Sequence, residues 1–124
     1  MSNTQRPTAT RKHTRTTEKK RDDEMDRGLS FVDADGTRLS VRIRDVKGRH
    51  DAALVAATGH DFMGLLGELQ RRQGLDLLAA VVWFGRLVHG RESSTYAELL
   101  DEFDYEAVLA ADLDEPDTGA DPEA

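Results

Sequence analysis

Cysteine is absent from this chain of 124 residues, proline occurs three times and tryptophan once. Without cysteine there is no disulfide, no thiolate metal ligand and no cysteine nucleophile, a composition that fits a reducing compartment. The longest apolar run, Leu77–Phe84, is far shorter than the roughly 20 residues a membrane span needs. The N-terminal residues lack the apolar region of a secretory signal, so none is expected. Residues 92–124 contain no Lys or Arg but carry twelve Asp and Glu. That acidic end would repel nucleic acid and anionic membrane surfaces alike. Strongly apolar residues are also scarce at both ends: residues 1–27 hold only Met1 and Met25, and residues 114–124 none. Neither segment can bury enough surface to offset its chain entropy, so residues 1–27 are expected to be a disordered basic arm and residues 114–124 a disordered acidic tail. Seven Lys and Arg against one Glu in residues 1–21 make the head basic, although the net charge of the whole chain is −7.

What remains, residues 28–113, is one domain of about 85 residues, small enough to be marginal alone. Its first part alternates. Leu29 and Phe31, then Leu39, Val41 and Ile43, interleave with polar residues at the period of a half-buried strand. Asp35-Gly36 lies between them, a dipeptide suited to positive φ at both central positions of a tight turn, so a β-hairpin is expected over Leu29–Asp45. A hairpin alone is marginal and needs helices on its apolar face.

The remainder reads as helices. Asp45 is expected to cap a helix over Val46–Thr58 that closes at Gly59, and Asp61 to cap a second. Phe62, Leu65, Leu66 and Leu69 fall on one face of that second helix, Gly74 is expected to end it, and Gly64 and Gly67 to mark close packing. A central helix, Leu75–His89, closes at Gly90. Thr95 and Glu98 form a capping box ahead of Tyr96, Leu99, Leu100 and Phe103, and Asp104 can cap a last helix carrying Val108, Leu109 and Leu113. The fold class expected is α+β and mainly α, with a hairpin followed by four or five short helices.

Little in the chain points to chemistry. The four histidines have no helical pairing that would make a metal face. Asp33-Ala34-Asp35-Gly36 departs from the calcium-loop spacing, since twelve positions along stands Arg44, not a carboxylate. Ser93, Ser94 and Thr95 lack the base and orienting group of a nucleophile triad, and no glycine-rich phosphate loop is present. Catalytic, cofactor and metal sites are therefore all expected to be absent. Helix, Thr58-Gly59-His60, helix has the length of a helix-turn-helix, so the alternative function is a small DNA-binding regulatory protein with a basic N-terminal arm. The face of its second helix shows Gly64, Gly67, Glu68 and Gln70, however, with Arg71 and Arg72 only at the end, so nucleic acid is not the expected partner.

The central helix is apolar on every side, with Leu77, Val81, Phe84 and Val88 on one stripe, Leu78 and Val82 on a second, and Ala80, Trp83 and Leu87 on a third. Such a helix must be covered on every side, and a hairpin with a few short helices offers scant cover. One stripe is expected to stay open around Trp83, Phe84 and Leu87, with Arg86 beside them, as a partner-binding surface.

The element order then becomes familiar: a D-G hairpin, a strand ending Val41-Arg42-Ile43-Arg44-Asp45-Val46, a helix closing at Ala57-Thr58-Gly59, a Phe/Leu-rich helix, the segment Leu78–Phe84, and a Thr95-Tyr96-Ala97-Glu98 helix opening an acidic end. Over residues 29–113 the chain resembles the tail assembly chaperones of long-tailed bacteriophages, particularly those of actinobacterial hosts. The resemblance implies a non-enzymatic protein of the host cell cytoplasm, left out of the mature virion. It would bind the long, helical tape measure protein while tail tube protein polymerises around it. It also implies a longer, frameshifted form joined near the acidic tail. Self-association is a further partner mode, and the acidic end would keep the complex soluble.

Overall fold

The computed structural model describes residues 23–91 and 94–116. Two antiparallel strands, β1 (Gly28–Val32) and β2 (Arg38–Arg42), are followed by a 3₁₀ turn at Ile43–Asp45 and by five helices among the described residues. These are α1 (Gly48–Thr58), α2 (Phe62–Arg71), α3 (Leu75–Val88), α4 (Tyr96–Glu102) and α5 (Tyr105–Ala111). The fold is thus α+β and mainly α.

The hairpin buries one face, as its alternation requires. Leu29 pairs with Val41 and Phe31 with Leu39, and Phe31, Leu39 and Val41 are all buried. Its turn is longer than a two-residue connection. Asp33 N–H donates to the Thr37 carbonyl and Gly36 N–H to the Asp33 carbonyl, and Gly36 carries the positive φ, 88°. Asp35 does not share it, so the loop is a three-residue turn closed by a left-handed glycine.

Several boundaries differ from expectation, for local reasons. Asp45 does not cap α1: its carboxylate accepts the Arg42 N–H and closes the 3₁₀ turn. The chain stays extended at Val46, and α1 starts after Lys47, whose N–H donates to His50 Nδ1 at 3.1 Å. Gly74 does not terminate α2 in a left-handed conformation: at φ −78° it is the extended residue before α3. Gly64 and Gly67 are exposed rather than closely packed; a Cβ at Gly67 would meet open space. The close approach is at Gly85, where a Cβ would run into the ring of Phe31. Other signals match. Gly59 is left-handed, Asp61 and Asp104 accept the capping N–H groups of Gly64 and Ala107, and Thr95 and Glu98 exchange both bonds of a capping box. Gly90 and Arg91 close α3 through bonds to the carbonyls of Leu87 and Arg86, a Schellman end.

The folded unit is also wider than residues 28–113. Asp23–Met25 are helical, Arg27 accepts the Ile43 N–H, and Asp26 pairs with Arg44. At the other end Asp114 exchanges both backbone bonds with Ser30, and Pro116 is buried. Residues 23–27 and 114–116 are therefore ordered. Edge hydrogen bonds of β1 supply partners that composition alone does not reveal. The disorder expected of residues 1–22 and 117–124 lies outside the described residues.

α3 is the axis of the molecule. It touches both strands and each of the other four helices. Leu77, Ala79, Ala80, Val81, Val82, Phe84 and Gly85 are buried along it, and Phe62 of α2 packs on Phe84 at a ring-centroid distance of 5.3 Å. Short helices thus cover more of this apolar helix than their length suggests, because they surround it.

Candidate protein-binding surface

The residues expected to form an open surface on α3 are drawn largely into the structure. Phe84 is 0% exposed and belongs to the core, not to a contact surface. Phe62 of α2 packs against it. Arg86 is held in the chain: its Nε–H donates to Asp33 Oδ1 at 2.8 Å. Trp83 and Leu87 remain half-exposed. The Trp83 indole N–H donates to the Ser94 carbonyl at 3.1 Å and the ring packs against Tyr96, 6.1 Å away. Tyr96 in turn donates its hydroxyl to the Asp76 carbonyl, and burial followed by the nearby Asp76 carboxylate pushes its pKa up. Trp83 therefore joins the start of α4 to α3. The capping box at Thr95 holds Tyr96 where the indole needs it.

The Asp33–Gly36 segment is a turn anchored by arginines. Asp33 is buried and receives Arg86 and Arg91, and Arg91 also reaches Asp35 at 3.1 Å. Burial would push the Asp33 carboxyl up, but the Ala34 N–H, Arg86 and Arg91 together hold it below the usual range. These two arginines, at the end of α3, lock the hairpin turn onto it. The seven positions His89–Thr95 hold no apolar residue and carry no periodic signal of this pairing, so only the fold brings Asp33 to Arg86. His89 adds a bond from Nε2–H to the Ser40 carbonyl at 2.7 Å.

His50 is buried at the start of α1, and its burial, then the charges of Arg49 and Lys47, lower its pKa. No group of three or more His, Cys, Asp or Glu side chains among the described residues is placed to hold a metal ion, and no helix among them is long and apolar enough to cross a membrane. Thr95 is spent on capping and Ser94 offers its carbonyl to Trp83.

The open apolar surface lies elsewhere. A groove of about 590 Å³ opens beside the start of β1. Its floor is leucine from four parts of the chain: Leu29 of β1, Leu66 and Leu69 of α2, Leu78 of α3 and Leu113 after α5. Its rim carries Asp23, Asp26, Asp114 and Glu115 against Arg27. Leu78 is the α3 residue that lines it, half-exposed as Trp83 and Leu87 are, while Val82 of the same stripe is buried. The signal available in the sequence was Leu69 and Leu78; what hid it was the edge pairing of Asp114 with Ser30, which brings Leu113 and Glu115 to the groove.

The helix-turn-helix comparison gains nothing from the geometry of α2. Its exposed side shows Met63, Gly64, Gly67 and Gln70, its N-terminal end is capped by a carboxylate, and Arg71 and Arg72 are paired with Glu68 and Asp76. Base readout wants free polar side chains near the N-terminal end of such a helix. No family model matches the chain, and comparison with curated proteins and with solved structures finds no similar protein.

Proposed function

We propose that this chain is a non-enzymatic assembly chaperone, of the kind found among the tail assembly chaperones of long-tailed bacteriophages. It holds an apolar helical segment of the tape measure protein in the host cell cytoplasm, assists tail tube assembly, and leaves before the virion is complete. The supporting observation is the leucine-floored groove, open to water and bordered by carboxylates. Apolar surface gathered from four elements into one concavity is the shape that receives the apolar face of a helix, at positions spaced i, i+3 and i+4. The half-buried leucines lose water on binding, which favours association, while the rim stays solvated and orients the incoming helix.

Co-expression with a tape measure protein of a long-tailed bacteriophage tests the reading. The expected result is a larger soluble fraction of tape measure protein, lost again when Leu69→Gln is introduced. Tape measure solubility that does not change with the chain present would defeat the proposal.

A further inference from the structure

We infer that the outer face of α5, continued by α4, is a second docking surface, and that its occupant is a cationic amphipathic helix of a partner protein. Tyr105 is 71% exposed and Leu109 81% exposed, the two most exposed large apolar side chains described, and they stand one helical turn apart. Leu100 on α4 is 36% exposed. A single leucine in water needs no explanation. Two successive positions on one helix face, while Ala107, Val108 and Ala111 of the same helix turn inward, form an apolar strip without a cover in this chain.

The charge around the strip selects the occupant. Residues 94–113 carry six Asp and Glu and no Lys or Arg. Asp101, Glu102, Asp104 and Glu106 are exposed about Tyr105, whereas Glu98 accepts the Thr95 N–H and Asp112 is paired with Arg38. Anionic lipid and nucleic acid are repelled by this surface. A second copy offering the same face would oppose carboxylate to carboxylate. The basic residues 1–21 of a second copy would match the charge, but they hold no strongly apolar residue besides Met1 to cover Tyr105 and Leu109. A helix with leucines along one side and Lys or Arg flanking them satisfies both demands. Its apolar side covers the strip, its ammonium or guanidinium groups meet the carboxylates, and the Tyr105 ring can receive a cation on its face. The surface is separate from the leucine groove, so this inference does not depend on the function proposed above.

The test uses the full chain and two synthetic amphipathic helical peptides with the same leucine face, one with Lys and one with Glu on the polar face, read by fluorescence anisotropy. The Lys peptide is expected to bind about tenfold or more tightly than the Glu peptide at low salt and to weaken as salt screens the surface. Leu109→Gln with Tyr105→Ala should weaken it by about tenfold or more, as loss of an apolar anchor does. Both side chains lie in water, so circular dichroism and thermal unfolding should match the unaltered chain. Leu69→Gln in the groove should leave Lys-peptide binding unchanged. Equal binding of the two peptides, binding of neither, or binding that survives the Tyr105/Leu109 change overturns the inference. So does loss of binding through Leu69→Gln alone, which would place the peptide in the groove. A concentration-dependent mass that Leu109→Gln abolishes would assign the strip to a second copy and overturn it as well.

Discussion

The two ends of α3 face opposite situations. At its C-terminal end the hairpin turn is tied down by buried charge: Asp33 takes two arginines, and Phe31 lies against Gly85 so closely that no side chain fits between them. Near its N-terminal end Leu78 looks into an open groove whose other walls come from β1, α2 and the chain after α5. The first region has its polar groups paired and its apolar groups enclosed. The second keeps leucines half in water and carboxylates in excess. Stability is concentrated where contacts are many, and binding surfaces are drawn from where they are few.

Substitutions sharpen that contrast, and the largest effect belongs to the enclosed corner. Gly85→Val should destabilise the chain by about 3 kcal/mol, because the added isopropyl group, its Cβ first, meets the Phe31 ring in a core with no slack; a urea midpoint equal to that of the unaltered chain would contradict it. Trp83→Ala should cost about 2 kcal/mol through the lost packing of a half-buried ring against Tyr96. A stable Trp83→Ala chain that fails only in partner binding would instead restore the indole as a contact.

Arg86→Ala should cost about 2 kcal/mol at neutral pH, because Asp33 loses one of its two arginines and keeps Arg91 and the Ala34 N–H. Its pH dependence carries a sign. The Asp33 pKa is lowered in the fold, so its pairing contributes stability above the ordinary carboxylate range. That contribution is lost as pH falls through the folded value. Stability of the unaltered chain should thus fall below about pH 4, and the fall should be shallower in Arg86→Ala. Chemical denaturation from pH 7 to pH 2 measures both. The smallest stability effect is expected in the groove. Leu69→Gln should change stability by under about 1 kcal/mol while removing tape measure binding; a large loss of stability there would mean that the groove is core and not a surface.

Much of the fold is legible along the chain. The alternation of Leu29, Phe31, Leu39 and Val41 carries the buried face of the hairpin, and Asp61, Thr95 and Asp104 mark helix starts because a short oxygen-bearing side chain reaches an N–H three residues on. Asp45 misleads for the same reason: its oxygen does accept an N–H three residues away, but backwards, from Arg42. Gly85 gives no hint of its role, since its constraint is a ring from a strand more than fifty residues earlier. That α3 is apolar on all sides could be read; which of its residues were buried, as Phe84 is, and which stayed half-exposed, as Leu78, Trp83 and Leu87 do, depended on what packed over them.

Local order, then, follows from the chain alone, because the period of apolar side chains and the reach of capping groups act over a few residues: the hairpin, the five helices and the acid-rich end belong here. The docking of those pieces decided the rest. It put Phe84 inside and Leu78 at an opening, matched Asp33 with Arg86 and Arg91, and extended the folded unit to Asp23 and Pro116. Exposure is a property of neighbours distant in sequence, and no periodicity encodes which neighbours arrive.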